Sequence, residues 1–270
     1  MIRVCGKSES PKVQKYHLVV WMVGLIEAML LKRYVYTAFI CLLLCSQAWS
    51  QPAPIAAVYY GPAVCHGCPQ SLAKVIKQAG YDVRKIYAGG ITAEALKGVA
   101  LFAIPGGDDA DELMSALMPG GAGVIKKFIY EGGSYLGVCL GAYVASESGL
   151  DLFSGSINAH AKKIDARMEK ITWQGQARWV YFQDGPEFEL SKYSKVDIWA
   201  KYKTGELAAL QYRYGHGYVG LVGPHLEADQ SWLSDDHLID PDGDDSALLV
   251  DFIKTIRDNS IHQHSVSDVN

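Results

Sequence analysis

Beyond residue 54 the chain alternates short apolar runs with amphipathic stretches. Ile55 to Tyr60 is a continuous apolar run that predicts a buried strand, closed by Gly61-Pro62. The spacing from Gln70 to Gln78 predicts a helix that ends at Gly80. Tyr81 to Tyr87 predicts a second strand, Ala93 to Lys97 a short helix, and Val99 to Ile104 a third strand. The loop Pro105-Gly106-Gly107-Asp108-Asp109 follows, then helical segments up to Tyr130. Ser134 to Val138 is again apolar and β-prone, and Leu140 to Glu147 suits a helix with Ala, Tyr and Val on its buried side. Strands alternating with helices through short Gly-rich loops predict an α/β fold built on a doubly wound, mostly parallel sheet. In such a sheet the loops at Tyr60-Gly61, Pro105-Gly106-Gly107 and Cys139 share the rim at the strand C-termini, where ligands bind.

From Asp151 to Tyr214 the pattern turns strand-like and more polar, with strands expected at Ala177 to Phe182, Val196 to Tyr202 and Ala208 to Arg213. Gly217 to Val222 is another apolar strand, ending in Gly223-Pro224-His225-Leu226-Glu227. A last helix is expected from Ser246 to Ile256, before a polar tail over 259–270. No internal repeat and no linker divides 51–258, which therefore reads as a single domain.

Residues 1–50 differ from the rest. Met29 onward has a short basic segment at Lys32-Arg33, an apolar stretch from Tyr34 to Cys45, and small residues at Ala48 and Ser50. That is the layout of a secretory signal peptide, with translation expected to start at Met22 or Met29. A membrane anchor is the alternative, but the Tyr34 to Cys45 run is short for a span of about 20 residues. Leu44 before Cys45 argues against a lipoprotein cleavage site. The mature chain is expected to begin near Gln51, to be exported to the periplasm or secreted, and to keep no stable membrane anchor. A net charge of −4 gives no basic footprint, so nucleic acid is not an expected partner. Export also changes the reading of the six Cys. Cys5, Cys41 and Cys45 lie in the leader, leaving Cys65, Cys68 and Cys139.

Cys139 stands where the Ser134–Val138 strand turns into the following helix, with Gly137 and Gly141 two positions to either side. A sharp strand-to-helix turn needs such small neighbours, and it holds the thiol at a helix N-terminus, which favours the nucleophilic thiolate. A buried Cys packed between two Gly is the structural alternative. His225-x-Glu227 completes the arrangement. A thiol nucleophile needs a base within hydrogen-bond reach, and the base needs an acceptor to orient it. Cys139 would attack a carbonyl, His225 would move the proton, and Glu227 would fix the imidazole tautomer. The Leu140 N–H and the amides of Gly106 or Gly107 are the candidate oxyanion donors.

These motifs resemble the class I glutamine amidotransferase-like superfamily, marked by a Gly-x-Cys-x-Gly elbow, an upstream Pro-Gly-Gly loop and a downstream His-x-Glu. Within it the closer resemblance is to the biotin-protein ligase N-terminal domain family, which includes secreted bacterial members. The matching pieces are Tyr60-Gly61-Pro62, Ile104-Pro105-Gly106-Gly107, Gly132 through Tyr143, Asp184-Gly185-Pro186, and Gly223 through Asp229 with Trp232. The resemblance implies a flavodoxin-like sheet and a Cys139, His225, Glu227 triad. The ligase catalytic domain has no counterpart here, so biotin transfer is not expected, and no synthetase domain is fused to receive ammonia. The expected activity is hydrolysis or transfer of an amide or acyl group through a Cys thioester, on a small-molecule or peptide amide, without a cofactor. A non-catalytic binding or scaffold domain on the same fold is the competing reading.

Cys65-His66-Gly67-Cys68 suits a disulfide in an oxidising compartment, then a redox-active pair, then a metal site. The redox reading makes the chain a thiol-disulfide protein. Asp108, Asp109, Asp111 and Glu112 read as a capped, solvated helix start. Asp240-x-Asp242-x-Asp244 resembles the start of a calcium loop, but Gly243 is misplaced and Asp251 stands where such a loop has Glu, so a solvated turn is expected. No metal ligand set is assigned. His262 and His264 read as surface residues of the tail. Trp173, Trp179, Tyr181, Trp199 and Tyr202 are expected in the core or on a sheet face, and Trp232 is expected to pack near or line the crevice.

Overall fold

Strict alternation along the apolar strands decides what each face of the sheet receives. The computed structural model describes residues 52–267 apart from 119 and 193, together with 29 and 33. Strands β1 (Ile55–Tyr59), β2 (Asp82–Ile86), β3 (Val99–Ile104) and β4 (Ser134–Val138) are parallel to one another. Strands β5 (Gly155–Ala159), β6 (Arg167–Trp173), β7 (Gln176–Phe182), β8 (Pro186–Leu190), β9 (Asp197–Tyr202) and β10 (Leu207–Tyr214) follow, and β11 (Gly217–Val222) returns to lie parallel beside β4. The order across the 11-stranded sheet is β2-β1-β3-β4-β11-β10-β9-β6-β7, with β8 on β10 and β5 on β8. Its β2-β1-β3-β4-β11 half has the flavodoxin-like order of a doubly wound sheet. From β10 onward every pairing is antiparallel.

Helices α1 (Cys68–Gln78), α2 (Ala110–Leu117), α3 (Gly121–Tyr130), α4 (Leu140–Tyr143), α5 (Gln230–Asp235) and α6 (Ser246–Ser267) complete the fold. Ala56, Val58, Leu101, Ala103, Leu136 and Val138 point to one face, where α1 supplies Leu72, Val75 and Ile76 and α6 supplies Leu249, Phe252, Ile253 and Ile256. The intervening Ala57, Tyr59, Phe102, Ile104 and Tyr135 point to the other, where Leu113, Leu117, Ile125 and Ile129 of α2 and α3 cover them. At about 25 cal/mol per Å² of apolar surface removed from water, these two layers are the main source of stability.

Several boundaries differ from expectation. Residues 93–98 form hydrogen-bonded turns rather than a helix, with Leu96 N–H on Thr92 O and Lys97 N–H on Glu94 O. The helix after Cys139 stops at Tyr143, because Val144 begins a series of turns that carry Leu150, Leu152 and Phe153 back into the core. Helix α6 runs to Ser267, so most of the expected polar tail is drawn into it. Strands β5, β6 and β8 were not expected; their mixed exposure leaves only weak alternation in the sequence. The leader expected over residues 1–50 lies, but for 29 and 33, outside the described residues. Among the described residues, no helix is long and apolar enough to cross a membrane.

Candidate active site

The turn from β4 into α4 forces Cys139 into φ 49°, ψ −106°, a region that side-chain-bearing residues rarely occupy. The strain is held in place by hydrogen bonds on both sides. Cys139 N–H donates to Val222 O at 2.9 Å, and its carbonyl accepts from Ala142 and Tyr143 at 2.9 and 3.0 Å. Glycine is required at both flanking positions: a Cβ on Gly137 would run into the Gly141 carbonyl, and one on Gly141 into the Ile104 carbonyl. The expected elbow is therefore present. Its helix is a single turn, however, so little dipole is available to favour a thiolate.

His225 leaves β11 on a loop that is pinned by its N–H to Tyr181 O at 2.9 Å. Its ring lies 5.9 Å from that of Tyr181 and 5.3 Å from that of Trp232, which places Trp232 at the site. Nδ1 is 2.9 Å from Glu227 Oε1, and both side chains are buried. With Nδ1 turned to Glu227, Nε2 is the atom left for Cys139. Burial pushes the imidazole pKa down, but the negative charges of Cys139 and Glu227 and their hydrogen bonds to the ring outweigh it and raise the value to about 10. The arrangement thus favours a charged imidazole next to a buried carboxylate. Glu227 Oε2 has no hydrogen-bond partner among the described residues.

The Pro105-Gly106-Gly107 loop packs directly on these groups. A Cβ on Gly106 would collide with the His225 ring, and one on Gly107 with the Leu140 side chain and the Ala63 carbonyl. Gly106 O accepts from Cys65 N–H at 3.1 Å and Ala63 O from Asp108 N–H at 2.9 Å, so the Cys65 loop is stitched to the glycine loop. Cys65 and Cys68 lie with their sulfurs in contact and their Cα atoms 5.4 Å apart, a spacing that suits a disulfide. Cys68 opens α1, two residues before the expected helix start at Gln70.

In the described conformation the thiol itself is covered, while a cavity of about 650 Å³ lined by His225, Tyr181, Lys74 and Asp229 opens beside the imidazole. Cys139 is 3% exposed, and its Sγ lies 3.8 Å from Gln183 O and 3.9 Å from Asp184 O. This turn between β7 and β8 carries Asp184 at φ 50°. Its residues matched a family motif, but nothing in their types showed that they would cover the thiol. Beside the cover, a cavity of about 490 Å³ is lined by Cys65, His66, Gln70, Tyr181, Gln183 and Trp232.

The acidic segments serve structure. Asp109 caps α2 by accepting from Glu112 N–H at 2.9 Å. In the 240–245 turn, Asp245 and Asp242 pair with Arg178, and Asp244 accepts from Ser246 N–H.

Sheet order and elbow together define the class I glutamine amidotransferase-like fold. The chain is similar in structure to PurLQS from Thermotoga maritima, at 14% identity over 73% of this chain and 97% of that one, with a TM-score of 0.53. A glutamine amidotransferase from the same organism gives 11% identity, 79% and 95% coverage, and a TM-score of 0.51. Residues 57–150 match the family model of the biotin-protein ligase N-terminal domain, which bears out the resemblance read from the sequence. The matched segment holds the glycine loop and the Cys139 elbow, while His225 and Glu227 lie beyond it. No curated protein matches the chain in sequence.

Proposed function

We propose that the protein is an exported amidohydrolase or acyltransferase that works through a thioester on Cys139. The Cys139 thiolate attacks an amide carbonyl, and the N–H groups of Leu140 and of Gly106 or Gly107 receive the charge on oxygen. The C–N bond breaks as His225 passes its proton to the departing nitrogen. Water, or an acceptor amine or alcohol, then adds to the thioester while His225 takes its proton, and the thiolate leaves. Glu227 keeps the imidazole oriented throughout. The observation that carries this reading is the buried pair of His225 and Glu227 at 2.9 Å, packed against Cys139. Productive binding requires the 183–185 turn to move off the thiol. In the same reading Cys65 and Cys68 form a disulfide, as suits an oxidising compartment.

The covered thiol favours a second reading, in which the domain binds without catalysis. Incubation with a panel of peptide and small-molecule amides, followed by mass spectrometry of the intact protein, separates the two. An acyl adduct that maps to Cys139 and is absent from Cys139→Ala supports the enzyme. No adduct and no amine release across the panel supports the binding module.

A further inference from the structure

His160, Glu187 and Glu206 lie far apart in the chain but meet where the antiparallel extension folds on itself. His160 follows β5, Glu187 sits on β8, and Glu206 precedes β10. One donor atom from each lies within 4.8 Å of the others. His160 Nδ1 and Glu187 Oε2 are 2.9 Å apart, with the two side chains 9% and 25% exposed. Two bonds of about 2.1 Å to one ion at the tetrahedral angle put their donor atoms about 3.4 Å apart, so the hydrogen-bonded pair would open by about 0.5 Å to take the ion.

The three groups are also held as ligands need to be. The His160 ring stacks on Tyr202 at 3.5 Å and 7°, and its backbone N–H donates to Gly185 O at 3.2 Å. Tyr202 N–H donates to Glu206 O at 2.9 Å, which fixes the Glu206 backbone beside the same ring. Glu206 Oε2 is shielded from solvent and has no hydrogen-bond partner among the described residues, although Thr204 and the Glu206 backbone N–H hydrogen-bond the carboxylate and hold its pKa below the usual value. A second carboxylate and one imidazole are its neighbours in the cluster. Two carboxylates and one imidazole with one free carboxylate oxygen make a donor set that a cation can complete.

We propose that His160, Glu187 and Glu206 bind a divalent first-row transition-metal ion of the zinc class, with solvent completing its coordination. One nitrogen and two carboxylate donors suit zinc, cobalt or manganese, whereas calcium takes oxygen ligands. The metal would replace the hydrogen bond between His160 and Glu187 and fasten β5, β8 and the turn before β10 to one point. Because His160 also holds Gly185, the ion would steady the turn that covers Cys139. The site does not depend on any chemistry at that thiol.

The test is metal binding by the whole purified protein, first stripped with a chelator and then dialysed against submillimolar Zn²⁺ or Co²⁺. The expected result is close to one ion per chain, a visible Co²⁺ ligand-field band, and a Tm raised by about 5–10 °C at a hundredfold excess over Kd. Glu206→Gln and Glu187→Gln should each weaken binding by about tenfold or more. Cys139→Ala and the Cys65→Ser/Cys68→Ser double variant should bind as the parent does. Absence of bound ion in the parent protein would overturn the proposal. So would undiminished binding in Glu206→Gln or Glu187→Gln, or loss of the ion in the cysteine variants alone. Should one Gln variant fail to fold, the other and the Co²⁺ spectrum decide.

Discussion

His225 Nδ1 lies 2.9 Å from Glu227 Oε1 with both side chains buried, and this pairing helps to hold the imidazole charged. The negative charges of Cys139 and of the buried Glu227 carboxylate both favour a charged imidazole. The pair therefore couples the stability of the fold to pH.

Folding raises the His225 pKa from 6.5 to about 10, so the folded chain holds this proton more tightly than the unfolded one. The resulting stabilisation is fully present below pH 6.5 and is lost as pH rises through about 10. Thermal unfolding followed across that window should show a falling Tm. In Cys139→Ala one of the charges that raises the pKa is gone, so the decline should be smaller and should end at lower pH. A flat profile in the parent protein, or an unchanged one in the variant, would contradict the coupling.

Gly106→Ala places a methyl group in the space of the His225 ring. The imidazole has to shift, and a displacement of about 1 Å can cost about a hundredfold in rate. The variant should stay folded by circular dichroism while Cys139 alkylation at neutral pH slows sharply. An unaltered rate would show that the glycine loop does not position His225.

Gly141→Ala is a test of the elbow's construction instead. Its Cβ would meet the Ile104 carbonyl, which belongs to a central strand and cannot move freely. Denaturant unfolding should show a loss of about 2 kcal/mol or more, as for overpacked cores. A neutral substitution would mean that the turn has slack.

Cys65 and Cys68 should resist alkylation under denaturing conditions until a reductant is added, whereas Cys139 should label without one. Peptide mapping after differential labelling reads both. Free labelling of Cys65 and Cys68 in protein kept from reductants would rule out the disulfide.

The parallel half of the fold and the elbow were legible because their physics is local. Continuous apolar runs such as Val99 to Ile104 signal strands buried on both faces, and Gly137-x-Cys139-x-Gly141 signals a turn without room for side chains. His225 and Glu227 were legible because they sit two apart at the end of one such strand. The antiparallel extension was harder to read. Strands β5, β6 and β8 are half-exposed, with charged residues such as Glu169 and Glu187 among apolar ones, so neither period stands out. What that extension brings to the site is tertiary in origin. The carbonyls of Gln183 and Asp184 over the thiol depend on the return of β8 to β10, and backbone groups leave no mark in residue type. The His160, Glu187 and Glu206 cluster was illegible for the same reason: no short spacing links its members.

The central claim is that Cys139 is a thiolate activated by His225 and Glu227, and the pH dependence of its alkylation tests this most directly. Iodoacetamide labelling would be followed by mass spectrometry in the parent protein and in His225→Ala and Glu227→Ala. The account predicts rapid labelling well below the free-thiol pKa of about 8.5, with both variants slower and their profiles moved up towards that value. Labelling no faster than in the unfolded chain at the same pH, or indifferent to His225, would contradict it.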